Sequence, residues 1–351
     1  MRVYDRIARS RAFESMEEAL STVIDDSEGA GLGIVILVLM LKKIGLDEDA
    51  FDIDVENGET VARITLPFSD IHVENLDLLS EEIVREINEL PQFPDNILQL
   101  QNLINDPDSE ISAIARQIST DPSLTADLLK VVNSAQFMLP KRVDNIVEAV
   151  KLVGMKGVRN LLYTHGSQKI LGQKYREMRD LWQHSYRTAF YAYNLAKSFR
   201  RRKEILDDVY VGGILHDLGK IILASLHPDL LDRIRGFCSE KEIPSNMLEN
   251  FAAGMNHAEV GALIAEKWNF PDQLVDAIRY HHSPLECREQ NRDIVFSVYL
   301  ANALTDLERE MIVIEQMDQW VLGDFGIQNE DQLTRIQQRL AGAFDQQRSR
   351  F

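Results

Sequence analysis

From about Ser80 onward, the sequence carries repeated helix start and stop signals and no alternating strand pattern. Asp121-Pro122 is one such start, with the carboxylate as the N-cap and the proline at the first helical position. Gly154 is a stop, because one predicted helix begins near Asn145 and ends there, and another begins near Gly157. The connections are short, so consecutive helices pack as neighbours. A mainly α fold is therefore predicted for most of the chain.

Two further helix starts precede Asp121. Pro94 lies in the first turn of a helix whose apolar residues, from Ile97 to Ile104, are spaced as one helical face. Ser109 is predicted to cap the next helix, which carries an apolar face from Ile111 to Ile118.

Residues 1–78 are predicted to form a small α/β module. Two helices are expected there, Met16–Ile24 and Gly31–Ile44. Two alternating segments follow, from Phe51 to Val55 and from Thr60 to Leu66, on either side of Asn57-Gly58. Asn-Gly between alternating segments predicts a β-hairpin, because a type I′ turn needs positive φ at both central residues. The role of this module stays open among a sensor, a dimerisation unit and a docking surface.

The charge of the chain restricts its partners. The formal net charge is −18. Fourteen acidic residues lie between Ile44 and Glu89, against two arginines. Nucleic acids and anionic membranes attract proteins through Lys and Arg, so neither is an expected partner. The basic run from Arg200 to Lys203 is typical of a solvated helix end, with a phosphate or partner contact as the alternative.

Hydrophobic runs and cysteines indicate a cytoplasmic protein without membrane insertion. The most apolar run, Gly31 to Leu41, has eleven residues, about half of what a membrane-spanning helix needs. Cys238 and Cys287 are the only cysteines in the sequence, which excludes a disulfide framework or an all-cysteine metal site.

An ordered series of histidines supplies the candidate site. Asp180 and His184 are spaced to share one helical face. Beyond them come four further histidines and an aspartate: His216, Asp217, His257, His281 and His282. Imidazole and carboxylate are ligands for Zn, Mn, Fe or Ni, and helical bundles build metal sites from several helices. The joint pattern predicts a divalent transition metal site more strongly than any single histidine does.

Several strings resemble the HDOD domain, a relative of the HD phosphohydrolase superfamily. They are Leu90-Pro91, Asp121-Pro122-Ser123-Leu124, Val132-Asn133-Ser134-Ala135, Gly213-Ile214-Leu215-His216-Asp217-Leu218-Gly219-Lys220, Trp268-Asn269-Phe270-Pro271 and His281-His282-Ser283-Pro284. The resemblance implies a helical HDOD domain at residues 85–310, with an N-terminal helical lobe packed on an HD-like helical core. Residues 311–351 are expected to form a C-terminal helical extension.

The resemblance also implies a role in bacterial signalling through protein partners. Many HDOD domains have lost the metal ligands, whereas this chain retains the residues named above, and Asp180 matches a carboxylate found in two-metal relatives. One ligand differs, because Asn302 stands where the HD site has an aspartate, and Asp306 lies one turn on. The Gly-Tyr-Pro loop of cyclic-di-GMP phosphodiesterases is missing after His282, which disfavours that substrate.

Three interpretations of the site remain. The first is a bound metal without turnover, and the second is an empty polar cluster that stabilises the helices. The third is a metal-dependent phosphohydrolase acting on a nucleotide or phosphoester, in which Asp217 and Lys220 are the catalytic residues. A non-enzymatic scaffold for protein partners is the expected class, and homodimerisation stays open.

Overall fold

The computed structural model describes residues 51–56, 59–64, 78–106, 108–133, 142–174, 179–200, 202–226, 249 and 254–348. The chain divides into two compact units, residues 1–86 with 223–256 and residues 87–222 with 257–351. The predicted helices Met16–Ile24 and Gly31–Ile44 lie outside the described residues.

The first unit contains the predicted hairpin. Strand β1 (Phe51–Glu56) pairs antiparallel with β2 (Glu59–Ile64). The register places Phe51 opposite Ile64 and Glu56 opposite Glu59, so the paired strands are two residues apart in the sequence. The hairpin prediction is confirmed.

The second unit begins with a lobe of packed helices, here called the N-terminal lobe (residues 90–174). Helix α1 (Leu78–Glu89) precedes this lobe. The lobe's helices are α2 (Asp95–Asn105), α3 (Ile111–Ile118), α4 (Pro122–Val132) and α5 (Ile146–Lys174). Gly154 interrupts α5 with φ 72° and ψ 169°, a conformation that glycine adopts without steric cost. The predicted helix break at this glycine is confirmed.

Of the two predicted N-caps in this lobe, one is confirmed and one is wrong. Asp121 Oδ1 accepts hydrogen bonds from the backbone N–H groups of Ser123 (3.0 Å) and Leu124 (3.1 Å) at the start of α4. Ser109 does not cap α3, because the residue before that helix is Glu110. The Ser109 hydroxyl instead donates to Asp106 Oδ2 at 3.4 Å.

The remaining helices form the HD-like core and the C-terminal segment. They are α6 (Arg179–Leu195), a π-helical turn (Ala196–Arg200), α7 (Leu206–Leu215), α8 (Leu218–Leu226), α9 (His257–Lys267), α10 (Asp272–Arg279), α11 (Arg292–Glu308), α12 (Gln319–Asp324) and α13 (Glu330–Arg348). Short 3-10 turns lie at Lys203–Ile205, Pro284–Glu286, Glu289–Asn291 and Ile314–Gln316. The mainly α prediction is confirmed.

Apolar side chains from α6, α7 and α11 form a continuous core, to which α13 also contributes. Tyr191, Val209 and Leu300 are fully buried within it, together with Leu333 and Leu340 of α13. The predicted C-terminal extension is therefore packed on α6 and α11 through an apolar face. The predicted boundaries at 78, 85 and 310 stay predictions.

An aromatic cluster joins the N-terminal lobe to the core of the same unit. Phe93 meets Trp268 edge to face at a centroid distance of 5.2 Å and Phe270 at 5.6 Å. Tyr163 lies 4.6 Å from Phe270, and the Trp268 indole N–H donates to the Pro91 carbonyl at 3.1 Å. Such pairs contribute beyond the area they bury, so this cluster couples the two parts.

Two glycines permit close approach of the helices that frame the site. A Cβ on Gly219 would lie 2.0 Å from the His257 carbonyl oxygen and 2.6 Å from the Gly261 nitrogen. A Cβ on Gly213 would lie 2.6 Å from the Ala189 Cα. Only glycine fits at either contact, so these helices approach each other closely.

The basic run after α6 is engaged in ion pairs. Arg202 Nη1 lies 2.7 Å from Asp293 Oδ2, and the Arg200 guanidinium pairs with Asp293 and with Asp324. The pairs of the two described arginines favour a structural role for this run over a phosphate contact.

The segment from Lys203 to Leu226 is long and apolar enough to cross a membrane by composition alone. About seven-tenths (72%) of its most apolar stretch is buried inside the protein, and it contains His216 and Asp217. A buried core helix of a soluble domain has the same composition, so the segment is weak evidence for membrane insertion.

Candidate metal centre

Five helices bring the candidate ligands together. His184 lies on α6, His216 and Asp217 form the junction between α7 and α8, and His257 is the first residue of α9. His281-His282 follow directly after α10. All five histidines and the aspartate belong to the second unit.

The turn between α9 and α10 directs the chain back toward the site. Asn269 has a left-handed backbone conformation with φ 53°, and asparagine is among the few non-glycine residues that adopt it readily. The backbone N–H of Phe270 donates to the Ala265 carbonyl at 2.9 Å, which closes the end of α9. Pro271 then precedes α10. This reversal returns His281 to the start of α9.

Asp217 lies at the middle of the site. Its Oδ2 is 3.5 Å from His184 Nε2 and 3.4 Å from His216 Nε2. Its Oδ1 is 3.3 Å from His257 Nε2 and 3.7 Å from His281 Nε2. One carboxylate thus presents each of its oxygens to a different pair of imidazoles.

The ligands form two groups around this carboxylate. The two-histidine subsite consists of His184, His216 and Asp217. The three-histidine subsite consists of His257, His281 and His282, with Asp217 Oδ1 beside it. Asp217 and all the histidines except His282 have less than a tenth of their surface exposed, and His282 is partly exposed.

Hydrogen bonds to backbone carbonyls orient two of these rings. His216 Nδ1–H donates to the Gly213 carbonyl at 2.8 Å, and His281 Nδ1–H donates to the Ile278 carbonyl at 2.7 Å. The Nε2 of each ring therefore carries a lone pair that faces the centre. Metal-binding histidines use this same arrangement to fix their tautomer.

The three-histidine subsite has the spacing that one metal ion requires. His257 Nε2 lies 3.1 Å from His281 Nε2 and 2.9 Å from His282 Nε2. A single proton on His257 cannot satisfy both contacts as hydrogen bonds. Nitrogens about 2.1 Å from one ion and at right angles to each other are about 3 Å apart. The donor set and its spacing therefore fit a divalent transition metal.

The centre around Asp217 also contains buried polar atoms that lack a hydrogen-bond partner among the described residues. They are His184 Nδ1, His216 Nε2 and Asp217 Oδ1. Leaving such atoms buried costs about 1–3 kcal/mol each, unless another group occupies the space between them.

Burial and neighbouring charges shift the pKa values at this centre. Burial lowers the pKa of His184 to about 3, although the Asp217 carboxylate opposes the shift. Burial also lowers the pKa of His281 well below its usual value. For Asp217, burial acts to raise the pKa, but His216 and the Lys220 ammonium outweigh it and hold the pKa well below its ordinary range. Neutral imidazoles and an ionised carboxylate are the forms that bind metals.

Lys220 and Asn302 complete the two-histidine subsite. The Lys220 ammonium donates to Asp217 Oδ2 at 2.9 Å. The Asn302 Oδ1 accepts a hydrogen bond from His184 Nε2–H at 3.0 Å. Asn302 Nδ2–H in turn donates to Asp306 Oδ2 at 3.1 Å. Asp306 therefore contacts Asn302 from the side away from His184 and does not occupy the ligand position.

The structure does not bring Asp180 to this centre. Asp180 lies in the first turn of α6, where its side chain is exposed, and it belongs to neither subsite. A carboxylate at the N-terminus of a helix is stabilised there by the helix dipole and by water. The other six predicted ligands converge.

The sequence of this domain also matches a known family. The HDOD domain family matches residues 90–284, more than half of the chain. This chain belongs to the HDOD domain family. The resemblance drawn from the sequence strings is confirmed.

Related proteins extend this assignment. An uncharacterized protein of Treponema pallidum (strain Nichols) is 37% identical over 344 residues, which is 98% of this chain and 67% of the relative. An HDOD domain protein of unknown function from Geobacter sulfurreducens has a similar structure, with a TM-score of 0.59 and 24% identity, covering 77% of this chain and 95% of that protein.

Two further solved structures share the fold. A protein from Shewanella amazonensis SB2B, proposed to be a phosphohydrolase, aligns with a TM-score of 0.56 and 24% identity over 78% of this chain and 97% of its own. A protein from Marinobacter aquaeolei VT8, proposed to act in signal transduction, aligns with a TM-score of 0.58 and 21% identity. The alignment covers 79% of this chain and 67% of that protein. These likenesses establish the helical HDOD fold.

Sequence reasoning missed the placement of the ammonium group. Lys220, named as catalytic only under the phosphohydrolase interpretation, pairs with Asp217, a contact that was not predicted from the sequence. The i, i+3 spacing of these two residues near the start of α8 was the signal that could have indicated this pair.

Proposed function

We propose that this HDOD protein binds a divalent transition metal in its HD-like core and acts in signalling through protein partners. The observation that carries the metal proposal is the position of Asp217, whose two oxygens lie within 3.7 Å of four imidazole nitrogens. His257, His281 and His282 would form one subsite. His184, His216 and Asp217 would form the other, in which a bound metal would require the His184 proton to lie on Nδ1 instead of the Nε2 that donates to Asn302. The imidazole donors suit Zn, Fe or Ni, and the carboxylate also suits Mn.

Burial and charge favour a structural or sensory metal over rapid turnover. The His216, His257 and His281 side chains are fully buried, which leaves little surface for a substrate. The neutral Asn302 amide contributes no charge to the two-histidine subsite. A metal held by these ligands would link α6, α7, α8, α9 and α10, and its binding energy would stabilise the folded core.

The signalling part of the proposal rests on the family and on the N-terminal lobe. One fold neighbour is proposed to be a signal transduction protein. The lobe is a set of packed helices with a single histidine, His165, whose Nδ1–H donates to Asp127 at 2.7 Å. We propose that this lobe contacts protein partners in the cytoplasm, and that the chain uses neither nucleic acid nor membrane insertion.

A metal-dependent phosphohydrolase is the second candidate. The observation that favours it is Lys220, whose side chain is 23% exposed beside Asp217 and could bind a phosphoryl oxygen. A bound metal would supply a Lewis acid and a water of lowered pKa. Asp217 would hold the metal, and Lys220 would neutralise phosphate charge.

A metal-dependent thermal shift tests the metal proposal. Chelator-treated protein is titrated with Zn²⁺, Mn²⁺, Fe²⁺ or Ni²⁺ and its Tm is measured. A ligand at a hundred times its Kd stabilises the folded state by about 2.7 kcal/mol, so we expect Tm to rise by about 5 °C or more with at least one metal. The matched control is His165→Ala, which removes a buried histidine outside the centre. The same rise in a His216→Ala, Asp217→Ala variant would contradict the proposal.

Hydrolysis of bis(p-nitrophenyl) phosphate by the metal-loaded protein separates the two candidates. The regulatory proposal expects no hydrolysis above that of the free metal. Turnover that requires both Asp217 and Lys220 would instead support the phosphohydrolase.

A further inference from the structure

We propose that the two subsites bind metal unequally, so that the three-histidine subsite fills first and Lys220 acts as a built-in cation in place of a second metal. This inference rests on the proposed metal function and deepens it. The centre would then hold one metal tightly in the three-histidine subsite. Residues of the two-histidine subsite would keep the affinity for a second metal low.

The three-histidine subsite contains an electrostatic conflict that a cation relieves. The His281 Nε2 lone pair faces His257 Nε2 at 3.1 Å, and His257 Nε2 also meets His282 Nε2 at 2.9 Å. With His281 fixed as an acceptor by Ile278, at least one of these contacts is unfavourable between neutral rings. A divalent ion would accept all three lone pairs, with the negative Asp217 Oδ1 3.3 Å from His257 Nε2.

The two-histidine subsite already contains a positive charge. Lys220 Nζ lies 2.9 Å from Asp217 Oδ2, the same oxygen that faces His184 and His216. A metal bound by this oxygen would have to displace the ammonium or bind beside it. Two like charges at this distance repel strongly in a buried site. Lys220 therefore lowers the metal affinity of this subsite.

The fourth position of the two-histidine subsite is neutral, and a buried contact keeps it oriented. Asn302 Nδ2–H donates to Asp306 Oδ2 at 3.1 Å, which turns the amide oxygen toward His184 Nε2 at 3.0 Å. The amide oxygen is a weaker ligand than a carboxylate and neutralises no metal charge. Asp306 is thus a positioning residue that acts through Asn302.

The test is a calorimetric titration of chelator-treated protein with Zn²⁺, with bound metal counted by elemental analysis after dialysis. The native protein should bind one tight equivalent, with any second equivalent much weaker. His281→Ala, and separately the less buried His282→Ala, should remove the tight equivalent. His184→Ala should retain it. Circular dichroism of each variant confirms that it is folded.

Two variants should increase the metal affinity of the two-histidine subsite. Lys220→Met removes the built-in cation, and the exchange variant Asn302→Asp, Asp306→Asn retains one carboxylate and one amide but moves the charge to the ligand position. Each should tighten the second equivalent by about tenfold or more, the scale on which partners of metal ligands act. Lys197→Met, which removes an exposed lysine of the π-helical turn, is the charge-matched control and should change nothing.

The outcomes separate this inference from the metal proposal. Two equivalents of equal affinity in the native protein would overturn the inference and leave the metal proposal standing. The same holds if the tight equivalent is lost in His184→Ala but retained in both His281→Ala and His282→Ala, or if Lys220→Met and the exchange variant leave the second affinity unchanged. No metal binding by the native protein would overturn the proposed function and the inference with it.

Discussion

The N-terminal lobe and the HD-like core use buried polar groups in opposite ways. In the lobe, the Asn133 side chain makes three short hydrogen bonds, donating to the carbonyls of Leu129 and Val143 and accepting from the Val143 N–H. In the core, the donors converge on Asp217, and several buried atoms have no hydrogen-bond partner among the described residues. His165 Nε2 is an exception within the lobe. The polar residues of the lobe thus close the fold, whereas those of the core are arranged so that the proposed cation would satisfy them.

The largest expected effect comes from the aromatic contact that joins the two regions. Phe93→Ala would empty a space bounded by Trp268, Phe270 and Gly166. We expect the free energy of unfolding to fall by about 3–5 kcal/mol, as measured by chemical denaturation. Leu98→Ala, at an exposed position of the same lobe (38% exposed), is the control and should cost much less.

This substitution also tests whether the lobe and the core are coupled. A single cooperative transition that shifts as a whole indicates coupling across the aromatic cluster. Two separate transitions, with only one of them moved, would contradict it and make the lobe an independent scaffold.

The next largest effect concerns the close helix contact beneath the site. Gly219→Ala places a methyl group 2.0 Å from the backbone carbonyl oxygen of His257, and backbone cannot move aside as a side chain can. We expect destabilisation of about 3 kcal/mol by thermal or chemical unfolding. Because His257 would shift, metal affinity should fall as well.

Gly342→Ala is the matched control for this prediction, since no atom lies within 4 Å of the added Cβ. This exposed helical position should become more stable by about 0.5–1 kcal/mol. Equal effects at the two glycines would show that close packing is not what requires Gly219.

A smaller effect is expected where a polar side chain closes the lobe. Asn133→Ala removes two hydrogen bonds of 2.8 Å to Val143 and one of 2.7 Å to the Leu129 carbonyl at the end of α4. The expected loss is about 2 kcal/mol, because the partner groups lose their bonds. Metal content should be unchanged, since Asn133 lies outside the centre. A loss of metal with little loss of stability would reverse the roles assigned to the two regions.

The smallest effect is a pH dependence at the start of α4. Burial acts to raise the pKa of Asp121, but the Leu124 N–H and the Lys169 ammonium at 3.1 Å outweigh it and lower the pKa. The folded protein therefore binds this proton less readily than the unfolded chain. The resulting stability is present above the unfolded pKa of 3.8 and is lost as the pH falls through the folded value.

Asp121→Asn should accordingly flatten the decline of stability below about pH 4. Unfolding by urea between pH 3 and pH 6 measures this slope. The control is Asp108→Asn at an exposed carboxylate of the same lobe, for which the slope should stay native. If the free energy of unfolding of Asp121→Asn falls with pH as it does in the native protein, the lowered pKa of Asp121 is not the source of this pH dependence.

Much of the fold was predictable because its signals are local. The Asp121-Pro122 start, the Gly154 break and the Asn57-Gly58 hairpin each depend on backbone preferences of a few residues. The Ser109 cap was wrong because its hydroxyl bonds to Asp106, and two local partners competed for it. Propensity alone does not decide between such neighbours.

The candidate site was predictable in its membership and less so in its geometry. The order of His184, His216, Asp217 and the later histidines indicated convergence of helices. The exposure of Asp180 depends on how α6 packs against its neighbours, which spacing along the chain does not encode. The ion pair of Lys220 with Asp217 is local, at i, i+3, but the same spacing also allows the ammonium to face a ligand.

Metal content tests the central proposal most directly. The native protein is purified without chelator or affinity-tag metal and analysed for transition metals beside the His216→Ala, Asp217→Ala variant and the His165→Ala control. The proposed centre predicts near-stoichiometric metal in the native protein and the control, and its loss in the double variant. No metal in the native protein, or equal metal in the double variant, would contradict a metal centre at Asp217.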